Sequence, residues 1–343
     1  MHLLAIESKC QDAQFSQFDN SPLSINPAFA GAFNGDIRLL ANYRNQWSVS
    51  APYNTFAFSC DMGIMKRKGK TGYLGAGISF LSDKAGSSAL GLNQANLLVA
   101  YHEYISDHNT ISAGIIGGFA QRSIDFSKLE WNSQYNTSTN NFDPTLPSYE
   151  TNYSQNKSYP DFGTGLQWAY TKGERNEITN DELNLNAGIA VFHVNKPNVS
   201  FYSSAKDNLP RKLELYGNSL IGFQNSKYAL TASFLYSQQG AANDVILGGL
   251  LRIKLQQESR HTGFIKGNTL AFGGYYHIGE AIIPEVQLEI ADYALGMSYD
   301  INSSGIRYAS SYLGAFEISL SCINPNIFAK KPAQNKTLIH SEE

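Results

Sequence analysis

Apolar and polar residues alternate along most of the chain with a period of two. In residues 37–47 one phase carries Ile37, Leu39, Ala41, Tyr43 and Trp47, and the other carries Arg38, Asn42, Arg44 and Gln46. Residues 245–256, 285–302 and 313–322 repeat the scheme. Because successive side chains of a β-strand point to opposite faces, the pattern predicts strands with one apolar and one polar face.

About fourteen such runs follow one another. They cover residues 36–47, 53–62, 71–81, 90–105, 109–121, 160–171, 182–194, 211–223, 227–237, 244–256, 267–278, 283–291, 293–302 and 312–322. Strands of globular proteins usually have about 5–6 residues, whereas a tilted strand needs about 9–11 to cross a bilayer. The length of the runs favours the membrane, where unpaired edge groups each cost several kcal/mol and the sheet must close. We predict an all-β fold, a closed antiparallel transmembrane β-barrel of about 14 strands.

Composition agrees with this prediction. Charged residues make up 16% of the 343 residues, aromatic residues make up 12%, and the mean hydropathy is −0.28. Since only alternate residues of a barrel strand meet lipid, such an average is compatible with a membrane barrel. No stretch approaches the ~20 apolar residues of a spanning helix. The net charge of −3 gives no indication of a nucleic-acid partner.

The pattern divides the chain into four parts. Residues 1–10 are a residual signal segment or an artificial start, with lipidation at Cys10 as an alternative. Residues 11–35 form an extended N-terminal segment, residues 36–322 the barrel, and residues 323–343 a periplasmic tail. An even number of strands places both termini on the periplasmic side, so that the long connections 122–159 and 195–210 lie outside.

The N-terminal segment combines helix breakers with aromatic residues. Pro22, Pro27 and Gly31 argue against a regular helix or a central strand. Phe15 and Phe18 would be costly to leave in water. The segment therefore either folds into the barrel as a plug or cap, or docks on a partner. Glycines within the strands would allow close packing of a plug; they are Gly75, Gly77, Gly114, Gly117, Gly118, Gly248, Gly249, Gly273 and Gly274.

Charged and polar residues on the polar phase are expected to face the lumen. They are Arg38, Asn42, Arg44, Asp61, Arg252, Lys254, Glu285, Glu289, Asp300 and Glu317. An Arg or Lys that faces lipid at mid-membrane costs about 2–4 kcal/mol. The mixed signs fit ion pairs that close the pore, and a polar conduit for solutes is the alternative.

The sequence offers no recognisable catalytic motif. It contains no G-x-S-x-G elbow, no P-loop and no H-E-x-x-H, and no histidine pair has metal-ligand spacing. His102 and His277 lie within predicted strands, but their phases reveal no adjacent nucleophile. We therefore predict no enzyme, no catalytic residue, no cofactor, no metal and no small-molecule substrate. An outer-membrane hydrolase using one of these histidines is a distant alternative.

Several segments, in order along the chain, resemble the PorP/SprF family of type IX secretion membrane proteins from Bacteroidetes. They are Gln11–Phe18, Asn26–Gly31, Tyr43–Trp47, Val191–Asn198, Ala281–Pro284, Tyr299–Ser304 and Gly314–Leu320. Ala13 stands where the family usually has Pro, Phe29 where it has Tyr, and Phe316 where His is common. The motif residues are structural or partner-binding candidates: Gln14, Phe15, Ser16, Gln17, Asn26, Pro27, Gly31, Tyr43, Arg44, Asn45, Gln46, Trp47, Phe192, His193, Asn195, Lys196, Pro197, Pro284, Tyr299, Asp300, Asn302, Gly314 and Glu317.

The resemblance implies an outer-membrane barrel that takes part in type IX secretion. Such a barrel would bind a large adhesin-like protein and help to export it or anchor it at the cell surface, including the adhesins of gliding motility. Its partners would be outer-membrane lipid, the secreted cargo and other secretion-system components. The alternative function is an outer-membrane channel for small or amphipathic solutes.

Overall fold

Fourteen antiparallel strands form the wall of a closed barrel. The computed structural model describes residues 12–46, 53–66, 71–86, 90–151, 153–172, 182–256, 267–303 and 313–324. The strands are β1 (Ile37–Gln46), β2 (Tyr53–Ile64), β3 (Gly72–Ala85), β4 (Leu90–Tyr104), β5 (Asn109–Ser123), β6 (Asn156–Lys172), β7 (Leu183–Phe192), β8 (Lys212–Gly222), β9 (Tyr228–Gln239), β10 (Ala242–Gln256), β11 (Asn268–His277), β12 (Ala281–Ile290), β13 (Tyr293–Asn302) and β14 (Leu313–Asn324). The predicted fold class is confirmed.

Each strand pairs with the next along the chain, and β1 also pairs with β14. The closing register runs from Ile37 opposite Asn324 to Gln46 opposite Ala315. Hydrocarbon offers no partner for a free N–H or C=O group, so closure is what allows a sheet of this kind to stand in a bilayer. Among the described residues, none of the helices combines the length and the apolar character of a membrane span.

The two faces of the wall differ as the alternation predicts. The exposed outer face carries large apolar side chains such as Leu97, Ile115 and Phe119. The inner face carries buried polar and charged side chains such as Asp61 and Glu317, both 1% exposed. The outer face also carries Cys60 and Cys322, which are free thiols opposite Leu39 on either side of β1. Cys10 lies outside the described residues.

The barrel has two unlike rims. We call the rim where β1 begins and β14 ends the entry rim, and the opposite one the loop rim. The loop rim carries the two longest connections between barrel strands, residues 124–155 and 193–211. The first contains the 3-10 turns Phe126–Lys128 and Asn132–Gln134 and a small hairpin of Tyr135–Asn136 with Asn141–Phe142.

Residues 12–36 lie inside the barrel, and we call them the lumen segment. The segment is not extended throughout, which corrects the expectation from the sequence: it contains the 3-10 turn Phe18–Asn20, the α-helical turn Pro22–Ile25 and the 3-10 turn Pro27–Phe29. Both prolines stand at the first position of a turn, where the missing N–H costs nothing and the fixed φ angle favours the helix. The prolines therefore begin single turns rather than exclude them.

We predict that a charge on the outer face destabilises the barrel according to its depth. Ile115 lies at the middle of β5, whereas Ile111 lies near the start of this strand at the entry rim. Both side chains point outward. Ile115→Arg should lower the free energy of unfolding by about 2–4 kcal/mol, and the matched control Ile111→Arg by about 0–1 kcal/mol, because lipid excludes charge most strongly at its centre. Urea unfolding in lipid vesicles measures both. Equal effects would contradict a lipid-facing outer surface.

Candidate functional site

The lumen segment passes through the barrel from the loop rim to the entry rim. Asp12 contacts His193, the residue after β7 at the loop rim. Farther along, the carbonyl of Ala30 meets His102 and the N–H of Gly31 meets Asp61, both near the entry rim. The segment therefore contacts strands from all sides of the barrel.

A buried ion cluster holds the first part of the segment. Arg44 of β1 donates to Asp300 of β13 at 2.8 Å and also pairs with Glu317 of β14. The two oxygens of Glu317 accept the backbone N–H groups of Ser16 and Gln17, at 2.7 and 2.9 Å. Ser16 Oγ donates to Asp300 at 2.8 Å. Three wall strands and the segment thus share one set of charge-assisted hydrogen bonds, the stronger class of such bonds.

Asn26 and Gly31 hold the later part of the segment. The Asn26 amide donates to the carbonyls of Leu166 and Ile189, at 2.9 and 3.2 Å, and its Oδ1 accepts the N–H of Ala28. Asn26 is completely buried. The N–H of Gly31 donates to Asp61 at 2.8 Å. Every one of these bonds satisfies a buried polar group that would otherwise be left unpaired.

Asp61 also pairs with Arg38 on the neighbouring strand β1, at 2.9 Å. The structure thus combines two residues expected in the lumen with a residue of the opening motif. Farther round the wall, Arg252 pairs with Glu289 at 2.6 Å. Mixed charges on the inner face therefore form ion pairs, as the sequence predicted for one of its two alternatives.

Inward-facing glycines make room for the segment. A Cβ atom on Gly75 would lie 1.7 Å from the carbonyl oxygen of Ala30, and one on Gly114 would lie 2.4 Å from the nitrogen of Ala28. A Cβ on Gly165 would lie 2.0 Å from Asn26 Oδ1. These are closer than any side chain allows, so the three glycines are a steric requirement of this packing. The glycines predicted from the sequence to allow close packing include Gly75 and Gly114 but not Gly165.

Asp12 and Asp161 hold His193 between them at the loop rim. His193 Nε2 is 2.6 Å from Asp12, and Nδ1 is 2.9 Å from Asp161. Burial alone would lower the pKa of His193, but the two carboxylates outweigh it and raise the pKa to about 9. His193 is therefore a cation at neutral pH that ties the start of the segment to β6 and β7.

Asp19 makes another contact that the sequence did not reveal. Its carboxylate accepts hydrogen bonds from Ser233 Oγ at 2.6 Å, Tyr275 OH at 3.0 Å and Asn218 at 3.1 Å. Three strands, β8, β9 and β11, supply these donors. Asp19 and Asp161 lie outside the motif segments, and Asp12 lies within Gln11–Phe18 but is not among the motif residues singled out above. The partners of all three lie far away in sequence, so no local pattern predicts these contacts.

His102 does have an adjacent hydroxyl, which corrects the sequence analysis. Its Nδ1 is 2.7 Å from Ser112 Oγ and its Nε2 is 2.8 Å from the carbonyl of Ala30. Since a carbonyl can only accept, Nε2 carries the hydrogen and Nδ1 accepts from Ser112. Both side chains are buried, and the Tyr73 ring stacks on His102 at 4.3 Å. The pair is thus closed to a substrate and anchors the lumen segment.

The remaining motif residues take up different places. Gln14, Phe15, Pro27 and Phe192 pack within the lumen, and Gln46 lies beside Arg44. Tyr43, Asn45, Pro284 and Tyr299 lie on the outward phase, and Asn302 lies at the loop rim. Asn195, Lys196 and Pro197 begin the second long connection, where Asn195 donates to the carbonyl of Pro160 at 2.8 Å. Gly314 lies against the Asp300 backbone, and Trp47 is outside the described residues.

Little free space remains beside the start of the segment. A cavity of about 90 Å³ lies there, and its lining includes Asp12, Leu23, Asn42, Asp161 and His193. Such a volume admits a few water molecules and no substrate of ordinary size. The start of the segment is therefore closely packed, whereas a larger cavity of about 680 Å³ lies at the entry rim beside Asp19, Arg38 and Glu289.

A family model for "Type IX secretion system membrane protein PorP/SprF" matches residues 7–322. The chain belongs to the PorP/SprF family. It is an outer-membrane barrel component of type IX secretion, a role that the family assignment supplies. The family assignment confirms the resemblance found in the sequence. None of the curated proteins matches this PorP/SprF chain.

Some solved barrels are similar to this PorP/SprF chain at low identity. The Ralstonia pickettii toluene transporter TbuX is 10% identical with a TM-score of 0.46, covering 88% of this chain and 91% of that one. The TodX monoaromatic hydrocarbon channel is 10% identical with a TM-score of 0.44, over 88% and 92%. BamA from Haemophilus ducreyi is 11% identical with a TM-score of 0.43, over 84% and 70%. Likeness at this level carries no argument about function.

We predict that Gly114→Ala displaces the lumen segment. The added methyl group would collide with the backbone of Pro27 and Ala28, and overpacking of this kind costs about 1–3 kcal/mol. Limited proteolysis with mass spectrometry should show new cleavage within residues 12–36. Gly117→Ala in the same strand is the matched control, because its methyl group would meet only the Phe162 ring on the outer face. Identical cleavage of the two variants would contradict the packing described.

We predict that alkaline pH weakens the contact between Asp12 and His193. Because the pKa of His193 is raised from 6.5 to about 9, its contribution is fully present below pH 6.5 and is lost as the pH rises through 9. The difference corresponds to on the order of 3 kcal/mol. His193→Gln should flatten the dependence of urea unfolding on pH between 6 and 10.

His108→Gln serves as the control for that experiment. His108 is exposed at the entry rim, where its Nδ1 lies 3.0 Å from the carbonyl of Thr171. This variant should keep the parental pH profile. A parental profile in the His193 variant as well would show that the histidine does not carry the effect.

Proposed function

We propose that this barrel binds a large, secreted, adhesin-like protein at its loop rim and helps to export it or anchor it at the cell surface. In this proposal the loop rim faces outward, and the entry rim with residues 323–343 faces the periplasm. Gliding and other surface functions would follow from the cargo. Family membership supports a role in secretion, and the architecture of the loop rim supports the place of contact.

The observation that carries the proposal is that the two long connections fold together. The Phe126 ring stacks on Tyr153 at 3.9 Å and meets Phe201 edge-on at 6.3 Å. Tyr153 and Tyr202 form a β-bridge, and the Ser154 N–H donates to the Phe201 carbonyl at 2.8 Å. Residues 124–155 and 193–211 thus form a single structured platform. A preorganised surface loses less entropy on binding than two separate loops would.

Exposed aromatic side chains on the platform fit the same proposal. Tyr149 is 79% exposed and Tyr135 is 45% exposed. Tyrosine is enriched at protein interfaces because it buries a large area with few rotatable bonds. Two exposed tyrosines on a rigid platform are suited to hold a protein partner.

The contents of the lumen favour a function as a scaffold rather than as a channel for solutes. The lumen segment contacts strands all round the wall, and inward glycines fit closely against its backbone. Buried ion pairs lie on the inner face beside the segment, and removal of one partner of such a pair costs about 3–5 kcal/mol. We therefore propose that the segment acts as a plug.

We predict that Tyr149→Ala reduces cargo binding without unfolding the barrel. Loss of a central tyrosine contact typically weakens binding by about tenfold or more. Pull-down from native membranes under mild detergent, followed by mass spectrometry, measures the amount of co-purified cargo. The surface proteome of the variant strain should lose the same protein.

Tyr293→Ala is the matched control for this prediction. Tyr293 begins β13 at the entry rim and is 59% exposed, so the chemical change is the same at the opposite end of the barrel. Cargo recovery should remain at the parental level. Equal losses in both variants, or recovery of the parent barrel with no secreted partner, would overturn the proposed binding surface.

A further inference from the structure

Three potential metal ligands meet inside the loop rim. Asp244 is the third residue of β10, His277 is the last residue of β11, and Glu280 lies in the turn before β12. Their ligand atoms all lie within 4.8 Å of one another. The turn is well defined: Gly279 has a φ of +81°, and the Glu280 N–H donates to the His277 carbonyl at 3.0 Å. The Ile278 N–H ties this turn to Val245 of β10 at 2.9 Å.

The distances in this cluster differ from those of a hydrogen-bonded histidine. His277 Nε2 is 3.5 Å from Asp244 Oδ1, and Nδ1 is 3.3 Å from Glu280 Oε2. At the same rim, His193 reaches its two carboxylates at 2.6 and 2.9 Å. Good N–H···O bonds lie at about 2.7–3.2 Å, so the two His193 contacts are hydrogen bonds, whereas the two His277 contacts are longer and have only ion-pair distances.

His277 Nε2 is moreover a buried atom without a hydrogen-bond partner in the part of the chain that the structure describes. Other buried polar atoms of the described residues, such as Gln239 Nε2, share this state, and His277 differs from them in the two carboxylates beside its ring. Two ligands bound tetrahedrally to zinc at about 2.0–2.1 Å stand roughly 3.3–3.5 Å apart. The separation of His277 Nε2 from Asp244 Oδ1 matches that spacing.

We propose that Asp244 and the Nε2 atom of His277 bind a divalent transition-metal ion, with Zn²⁺ the best fit. Glu280 faces the other ring nitrogen, Nδ1, in this structure, and its exposed carboxylate would turn toward the ion to become the third ligand. An imidazole nitrogen with two carboxylate oxygens is a ligand set for zinc, whereas Ca²⁺ and Mg²⁺ take oxygen ligands. Glu280 is 57% exposed on its side chain, so the site is open to ions from the loop rim. The ion would link β10 to the turn between β11 and β12, which is independent of the proposed cargo binding.

Without an ion, a protonated His277 would pair with both carboxylates. The ion pair and the metal site differ in how the stability of the protein responds to added metal. An ion pair is complete by itself, and added metal would not stabilise it. A metal site gains stability with the logarithm of the metal concentration above its dissociation constant, because the folded protein binds the ion and the unfolded chain does not. Metal-dependent stability therefore separates the two.

The test uses the full chain refolded in detergent, with an affinity tag free of histidine and a buffer free of chelators. Isothermal titration with ZnCl₂ should show one strong site, and Zn²⁺ should raise the thermal unfolding midpoint while Ca²⁺ leaves it unchanged. Glu280→Gln and His277→Gln should each weaken Zn²⁺ binding about tenfold or more. Glu280→Gln lies on an exposed turn, so it keeps the test valid if the His277 variant fails to fold.

His108→Gln is the matched control and should bind Zn²⁺ like the parent. Three results would overturn the proposal. They are the absence of a strong Zn²⁺ site in the parent, parental affinity in the folded Glu280 variant, or equal stabilisation by Ca²⁺. Cargo recovery in the Glu280 variant is read separately, so failure of the metal site leaves the proposed secretion function to its own experiment.

Discussion

Backbone N–H and C=O groups find no partner in hydrocarbon, and this constraint determines the rest of the structure. It requires β1 to pair with β14 and leaves no free edge. A closed wall has one face toward lipid and one toward a lumen, so apolar and polar side chains must alternate along each strand. The polar face then needs partners of its own. The lumen segment supplies them, through the backbone of Ser16, Gln17 and Gly31 and the side chain of Asn26.

The wall could be predicted from the sequence because lipid imposes the alternation residue by residue. The runs 53–62 and 293–302, for example, coincide with β2 and β13 to within two residues. The prolines predicted that the lumen segment has no regular helix, but they did not predict its single turns. Proline at the first position of a turn begins one, as Pro22 and Pro27 do.

The contacts of the candidate site were predictable only in part. Residue type and phase placed Arg38, Asp61, Arg44 and Glu317 in the lumen, but they could not say which charges meet. The pair of His102 with Ser112 was within reach, because the short turn between β4 and β5 sets the register that places them opposite one another. The contact of Asp12 with His193 spans 181 residues and depends on the path of the segment, which no local pattern encodes.

The cluster around Arg44 has a consequence for assembly. Arg44 belongs to the first strand, Glu317 to the last, and Ser16 to the part of the chain made before either. The junction between β1 and β14 and the binding site of the lumen segment therefore share the side chains of Arg44 and Glu317. A barrel that closed without the segment would bury Glu317 without the two backbone N–H groups that it accepts from Ser16 and Gln17. Closure of the wall and placement of the segment therefore stabilise each other.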